Sequence, residues 1–256
     1  MNWHNKIELH GYSIIPEVSL GAETAGLLEC LQRTNLHRSK AGIRHALKDD
    51  SIAAFAQNAQ LLAIAKTILG PEAFPFHATL FDKSPDANWL VVWHQDTALP
   101  LSERRETAGW GPWSVKEGVI YAHAPADALS RVLALRVHLD DSTIENGLLR
   151  VLPGTHDRGV LTDDAIHELA AQVAPVNCEV ARGGVLAMRP LIVHSSPKSQ
   201  SKIPRRVLHI EYAASREAGD GLQLAIAQSV RVVARRDYSY FKTTIGSVCS
   251  ARRAGM

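Results

Sequence analysis

The sequence predicts a mainly β fold, a barrel or jelly roll with helices packed against its outside. Three observations carry that expectation. From Phe74 onward apolar residues recur with a period of two, the runs are short, and Gly, Pro, Asn and Asp separate them. Ahead of Phe74 the pattern is helical instead. Gly21 to Gln32 sets Ala, Leu and Glu at helical spacing, and Asp50-Ser51 can cap a run through Leu61-Leu-Ala-Ile-Ala-Lys-Thr-Ile-Leu69 that Gly70-Pro71 closes.

Candidate strands follow at His77–Lys83, Trp89–His94, Val132–Leu139, Leu148–Leu152, Cys178–Arg182, Val185–Met188, Leu191–His194 and Arg205–Tyr212. The strand from Val132 divides into two faces, Leu133, Leu135, Val137 and Leu139 against Arg136 and His138. Arg136 either reaches into the barrel toward a carboxylate or lies on a polar face turned to solvent. Asn146-Gly147 and Pro153-Gly154 are turn signals and read as scaffold. We expect one domain over 1–256, with 1–72 mostly helical, 74–213 the barrel, 99–125 inserted within it and 222–256 a C-terminal extension.

Composition narrows the function classes. Lys+Arg 28 against Asp+Glu 26 gives +2, too balanced for a nucleic-acid binder. Cys30, Cys178 and Cys249 are far apart and lack C-x-x-C spacing, which implies neither a disulfide framework nor a zinc finger but reduced thiols of a cytoplasmic protein. Charges occupy Met1–Glu8 where a signal peptide needs an apolar stretch, and no apolar run reaches the length of a membrane span. The expected partner is a small-molecule substrate, without nucleic acid or membrane; oligomeric state stays open.

Chemistry concentrates at His94-Gln95-Asp96, which ends the apolar run Asn88–Trp93, and at His194, which ends Leu191-Ile-Val193. Side chains at i and i+2 of an extended chain share a face, so His94 and Asp96 can grip one ion while a neighbouring strand delivers His194. Two imidazoles and a carboxylate on one face of an octahedron leave the other positions to oxygen donors and O2, the arrangement of non-haem Fe(II) oxygenases. In a chain with 12 histidines an H-x-D triplet alone is weak, and an isolated His94 is an ordinary half-buried histidine. Its company raises it. Ser195 and Ser196 follow His194, and Arg205 stands 205 − 194 = 11 residues past it at a strand start, where its guanidinium fork matches a carboxylate.

Four segments together resemble the phytanoyl-CoA dioxygenase family: Trp93-His-Gln-Asp96, Glu145-Asn-Gly-Leu-Leu-Arg-Val-Leu-Pro-Gly-Thr-His156, Gly183-Gly-Val-Leu-Ala-Met188, and His194-Ser-Ser196 followed by Arg205. The opening Leu9-His-Gly-Tyr-Ser-Ile-Ile-Pro16 is similar as well, so the likeness runs from roughly residue 7 to 213. The resemblance implies a double-stranded β-helix, a cupin-like barrel, holding Fe(II), with 2-oxoglutarate as cosubstrate. The implied activity is hydroxylation of a small organic molecule with O2, releasing succinate and CO2. His94, Asp96 and His194 match the family's metal triad, Arg205 the arginine for the distal carboxylate of 2-oxoglutarate, and Ser196 a hydroxyl that assists it. Arg206 takes that role if the strand register differs by one. His156 matches a scaffold position, and Asp96 fills the place a halide would need in a halogenase. No acyl-CoA substrate is implied.

Two other classes stay open. A zinc hydrolase could use the same triad, though it leaves Arg205 and Ser196 without a purpose and H-E-x-x-H is missing. A non-catalytic ligand-binding barrel has no use for an intact triad. The insert Leu99–Pro125 carries Gly109-Trp-Gly-Pro-Trp113 and Val119-Ile-Tyr-Ala-His123, so Trp110, Trp113 and Tyr121, with Arg136, are the candidate substrate residues. Either the tryptophans cap the substrate as a lid or they fill a satellite core. Gly109-x-Gly111 lacks the third glycine of a dinucleotide fingerprint. After Gly221, Arg231, Arg235, Arg236, Lys242, Arg252 and Arg253 face one acid, Asp237, as expected of a solvated tail with a last edge strand at Val230–Ala234.

Overall fold

Helices form where a capping side chain meets an apolar stripe. The computed structural model describes residues 2–226 except 16, 17, 19, 33–35, 38, 40, 41 and 86, so the basic tail, its expected strand and Cys249 lie outside the described residues. α1 (Trp3–His10) starts on Asn2, whose side chain accepts the Asn5 N–H, and stops at Gly11. Gly11 is required there twice over, by its φ of 81° and by the His156 ring, 2.7 Å from where a Cβ would sit. α2 (Gly21–Leu31) falls where expected.

The run expected as one helix to Leu69 is two, α3 (Asp50–Ala56) and α4 (Ala59–Leu69). Asn58 accepts the N–H groups of Gln60 and Leu61 and so starts a second helix, while Asp49, one residue before the expected cap, starts the first. α5 (Ala126–Ser130) and α6 (Asp163–Gln172) were not anticipated. Thr162 accepting the Ala165 N–H, with Asp163 and Asp164 in the first turn, is the start signal that announces α6. Among the described residues no single helix is long and apolar enough to cross a membrane.

The strands are β1 (Tyr12–Ile15), β2 (Gly42–Ile43), β3 (Phe74–Lys83), β4 (Val91–His94), β5 (Ala98–Leu101), β6 (Trp113–Lys116) and β7 (Val119–His123). Next come β8 (Val132–His138), β9 (Leu149–Val151), β10 (Val176–Cys178), β11 (Val185–Met188), β12 (His194–Ser196), β13 (Arg205–Ala213), β14 (Glu217–Gly219) and β15 (Leu222–Gln223). A six-stranded antiparallel sheet, in the order β1-β11-β8-β13-β3-β2, and a four-stranded one, β10-β9-β12-β4, build the double-stranded β-helix.

Period-two alternation gives the large sheet two different faces. Leu133, Leu135, Val137, Leu208, Ile210 and Tyr212 pack with Leu27, Ile52, Phe55 and Leu61 of the helices in the largest apolar cluster, each large side chain contributing about 1.5–3 kcal/mol of burial. The opposite face carries Arg136, His138, Arg205 and His209, all buried as well. The solvent-facing alternative for Arg136 therefore does not hold: both faces of β8 are covered.

Two expectations change. The second apolar run before His194 is buried but not extended: the Ile192 N–H closes a turn on Arg189 O, and His194 opens β12 instead of ending a strand. An apolar run reports burial and leaves the backbone undetermined. The strand expected at Cys178–Arg182 is β10, two residues earlier, because Gly183 at φ 81° and the Gly184 N–H to Ala181 O bond turn the chain there. The insert is built around a three-stranded sheet, β5-β7-β6, with Gly109–Pro112 on the connection that leads into β6.

Candidate active site

β12 pairs with β4 so that His194 lies opposite His94, ring centroids 4.2 Å apart. Asp96 lies past the end of β4, where its N–H donates to Pro190 O at 3.0 Å, so backbone bonding and not strand alternation aims its carboxylate. Asp96 Oδ1 is 3.6 Å from His94 Nε2 and Oδ2 is 3.5 Å from His194 Nε2. The three ligand atoms lie within 4.8 Å of one another, the one such metal-ligating group among the described residues.

The surroundings of the triad set its chemistry. Nδ1 of His94 faces Val92 O and Nδ1 of His194 faces Ile192 O, each at 2.9 Å. Each carbonyl takes the Nδ1 proton, which leaves both Nε2 lone pairs for an ion. Burial pushes His194 down to about 3, so its imidazole is neutral. Burial opposes the Asp96 charge, but His194 and His94 outweigh it and hold the carboxyl well below the usual range. For His94 burial is again the largest influence and lowers its pKa, yet Asp96 and the nearby carbonyls leave a net rise. Gln95 fastens the triplet from between, donating to Gly159 O and Leu191 O and accepting the Leu161 N–H. Two imidazoles and a carboxylate so arranged fit a divalent first-row metal ion.

A second, anionic demand sits beside the first. β13 runs antiparallel to β3 with Arg205 opposite Lys83, and the two are 3% and 1% exposed. Lys83 Nζ donates to Ser196 Oγ at 2.8 Å and Pro197 O at 2.6 Å; Arg205 Nη2 reaches the same Ser196 oxygen at 3.3 Å, and its Nε reaches Asn146 O. Ser196 in turn donates to Gly147 O at 2.7 Å. Arg205 Nη1 is buried with no hydrogen-bond partner.

Arg136 enters from β8, donating to His209 Nδ1 at 3.0 Å with its guanidinium over Phe81. None of these three cations forms an ion pair among the described residues. Burial, then Arg205 and Arg136, push the Lys83 ammonium down to about 7, and burial also lowers Arg205. Arg206 faces the other way, its Nε and Nη2 on the two oxygens of Asp140 at 2.7 and 2.8 Å.

Lys83 was missed in the sequence, although a lysine closing an apolar strand is a signal, since buried lysines are uncommon. Trp110, 6% exposed, packs with Leu99, Leu101 and Ala122 and donates its indole N–H to Asp220 at 2.9 Å. Trp113 opens β6 and packs against the same cluster. This is the satellite-core arrangement. Tyr121 lies on β7 with its hydroxyl 3.1 Å from His77 Nε2. His156 packs on α1's end, Nε2 facing Glu8 O. Two hollows, about 360 and 150 Å³, adjoin Arg189 and His77 respectively, and no triad residue lines either.

Comparison with known proteins agrees with this geometry. L-proline trans-4-hydroxylase of Streptomyces griseoviridis is 26% identical over an alignment of 190 residues that covers 64% of this chain and 63% of that relative. The EctD crystal structure from S. alaskensis in its apoform superposes with a TM-score of 0.60 at 19% identity, over 88% of this chain and 82% of that one. EctD is also known with bound Fe, and with 2-oxoglutarate and 5-hydroxyectoine. HygX of Streptomyces hygroscopicus, with nickel, 2-oxoglutarate and hygromycin B bound, gives 0.59 at 17% identity over 82% and 86% of the two chains. The phytanoyl-CoA dioxygenase family model matches residues 29–207, a span that holds the triad, Lys83, Ser196 and Arg205, and this chain belongs to that family.

Proposed function

We propose that this protein is an Fe(II)- and 2-oxoglutarate-dependent dioxygenase that hydroxylates a small organic molecule with O2, releasing succinate and CO2. One observation carries the reading: two buried cations, Lys83 and Arg205, converge on Ser196, two residues from the metal-ligating His194, and lack an acid. A buried cation without a counter-ion is costly unless a ligand supplies the charge. A zinc hydrolase would need the triad and leave this pocket idle.

Within the reading, His94, Asp96 and His194 would hold the iron, and Arg205, Lys83 and Ser196 the distal carboxylate of 2-oxoglutarate. When bound, the iron supplies activation of O2 coupled to oxidative decarboxylation of the cosubstrate. The chain supplies position. Ser196 orients both cations because its hydroxyl proton is committed to Gly147 O and its lone pairs point at them. Arg136, tied to His209, keeps further positive charge in the barrel. The relative whose name specifies proline, and the similar structures that hold 5-hydroxyectoine and hygromycin B, support a small polar substrate. A cytoplasmic location belongs to the same proposal, supported by cysteines spaced too widely for a disulfide framework.

The test is anaerobic addition of Fe(II) and 2-oxoglutarate, followed by O2. The expected results are a visible metal-to-ligand charge-transfer band, then succinate. Neither band nor succinate in iron-reconstituted protein would refute the reading.

A further inference from the structure

Buried polar atoms without a partner gather on one face of the barrel. Among the described residues seven buried side-chain nitrogens and oxygens have no hydrogen bond, and three of them, Arg136 Nε, His138 Nε2 and Arg205 Nη1, belong to the adjacent strands β8 and β13. Arg136 and His138 share a face as i and i+2 of β8, and His138 stands opposite Val207, two residues from Arg205 on β13. Diagonal neighbours across a ladder lie about 7–8 Å apart, within reach of long and aromatic side chains. All three residues are buried. Each orphan atom forfeits its hydration without return, so three on one enclosed face mark the outline of a polar ligand.

His138 differs from the two arginines in being neutral and held from behind. Its Nδ1 is 2.7 Å from Ser142 Oγ, and Ser142 is pinned by two backbone bonds with Val180, of 2.8 and 3.2 Å. The buried Ser142 hydroxyl has no other partner among the described residues, so its proton goes to Nδ1 and the ring keeps its own proton on Nε2. Burial first, then the Arg136 and Arg205 guanidiniums, hold the imidazole well below its usual pKa. The acids next in sequence are turned elsewhere, Asp140 to the Arg206 side chain and Asp141 to the Arg182 N–H. What remains is a fixed, uncharged N–H beside the anion pocket. A carboxylate there has about four lone-pair positions to fill, and Arg205 Nη1 brings two hydrogens while Lys83, with two committed to Ser196 and Pro197, brings one.

Resting on the oxygenase reading, we infer that His138 is a further cosubstrate-binding residue, its Nε2–H donating to the distal carboxylate of 2-oxoglutarate beside Arg205 Nη1. Ser142 is a positioning residue that fixes the tautomer and the orientation of the ring. A neutral donor completes the shell of the carboxylate without adding another buried charge to those of Lys83 and Arg205.

The experiment titrates two 2-oxo acids by calorimetry into anaerobic, iron-loaded full-length protein. One is 2-oxoglutarate; the other is 2-oxovalerate, of the same chain length but with a methyl group in place of the distal carboxylate. Both present the same chelating end, so the difference between them isolates the anion pocket. His138→Leu, which keeps bulk and removes the donor, should weaken 2-oxoglutarate at least about 10-fold, the worth of a hydrogen bond to a charged group, and leave 2-oxovalerate unchanged. His138→Gln, whose amide offers an N–H at a similar reach, should restore most of the loss. Ser142→Ala, behind the ring, should weaken 2-oxoglutarate in the same selective way by a smaller factor, and it decides the matter where a melting curve shows His138→Leu unfolded. The inference is overturned if the folded variants bind 2-oxoglutarate as tightly as the native chain. It is equally overturned if both 2-oxo acids weaken in parallel, the result a purely structural histidine would give. Native protein that does not bind 2-oxoglutarate would instead refute the underlying oxygenase reading.

Discussion

Filling the anion pocket should draw a proton out of solution, and Lys83 sets the size of the effect. Its side chain is 1% exposed and its pKa is about 7 against an ordinary 10.5, through burial first and the Arg205 and Arg136 guanidiniums second. The folded value lies below the unfolded one, so between those pH values the folded chain holds fewer protons and stability rises with pH. Below about pH 7 the folded protein carries the charge as well, and the whole penalty is present. The gap, 10.5 − 7 = 3.5, corresponds to a penalty on the order of 5 kcal/mol.

A carboxylate between Lys83 and Arg205 reverses this balance, because an opposite charge in contact favours the ammonium. At pH 8 a group titrating near 7 is about one-tenth protonated, and one raised above about 9 is about nine-tenths protonated, so binding takes up roughly 0.8 proton. Calorimetric titration of 2-oxoglutarate into anaerobic, iron-loaded protein, repeated in two buffers of different ionisation enthalpy, reads that number directly. Lys83→Met should abolish the uptake and weaken binding. An uptake near zero in the native protein, or an undiminished one in the variant, would refute the assignment of Lys83 to the cosubstrate pocket.

Three more perturbations separate the parts. Arg205→Ala should raise the 2-oxoglutarate requirement by about 2–5 kcal/mol of binding, whereas Arg206→Ala, which loses only the Asp140 pair near the surface, should cost up to about 1 kcal/mol of stability; an effect on 2-oxoglutarate from Arg206 alone would reverse the register. Asp96→Ala should abolish iron-dependent succinate formation, measured with iron in excess, since the two imidazoles lose the anionic ligand; full activity would sink the triad. Trp110→Ala should lower stability by about 3–5 kcal/mol and reduce succinate and hydroxylated product in parallel, because the indole is packed and bonded to Asp220; selective loss of hydroxylation with an unchanged melting temperature would restore the lid.

What the sequence showed and what it hid divide along one physical line. His94, Asp96, His194 and Arg205 were legible because each is a polar residue at the edge of an apolar run, a local pattern. Lys83 was not, because its meaning comes from lying opposite Arg205 across two strands distant in sequence, and cross-strand register leaves no mark on either segment alone. His77 and Glu211 are the same case, partners only through that same ladder. The break between α3 and α4 was local and readable, in Asn58, but the continuous apolar stripe on both sides of it masked the cap. Hydrophobic periodicity reports which residues are buried more faithfully than which backbone buries them, as Leu191–Val193 shows.

The same ladder explains why so few side chains suffice. Arg205, His209 and Glu211 sit at alternating positions on one face of one strand, so their order is a property of the backbone, fixed once the register of β13 is fixed. That register is set from behind: Leu208, Ile210 and Tyr212 occupy the intervening positions and are buried against the helices, and the Tyr212 hydroxyl donates to Ala56 O at 2.7 Å. A slip of one residue would carry the apolar set into the barrel and Arg205, His209 and Glu211 into the helices, exposing or burying the wrong groups on both faces together. The helical layer therefore does more than cover a sheet. It holds the polar side chains of β13 on the barrel face, with Arg205 in the pocket beside Ser196.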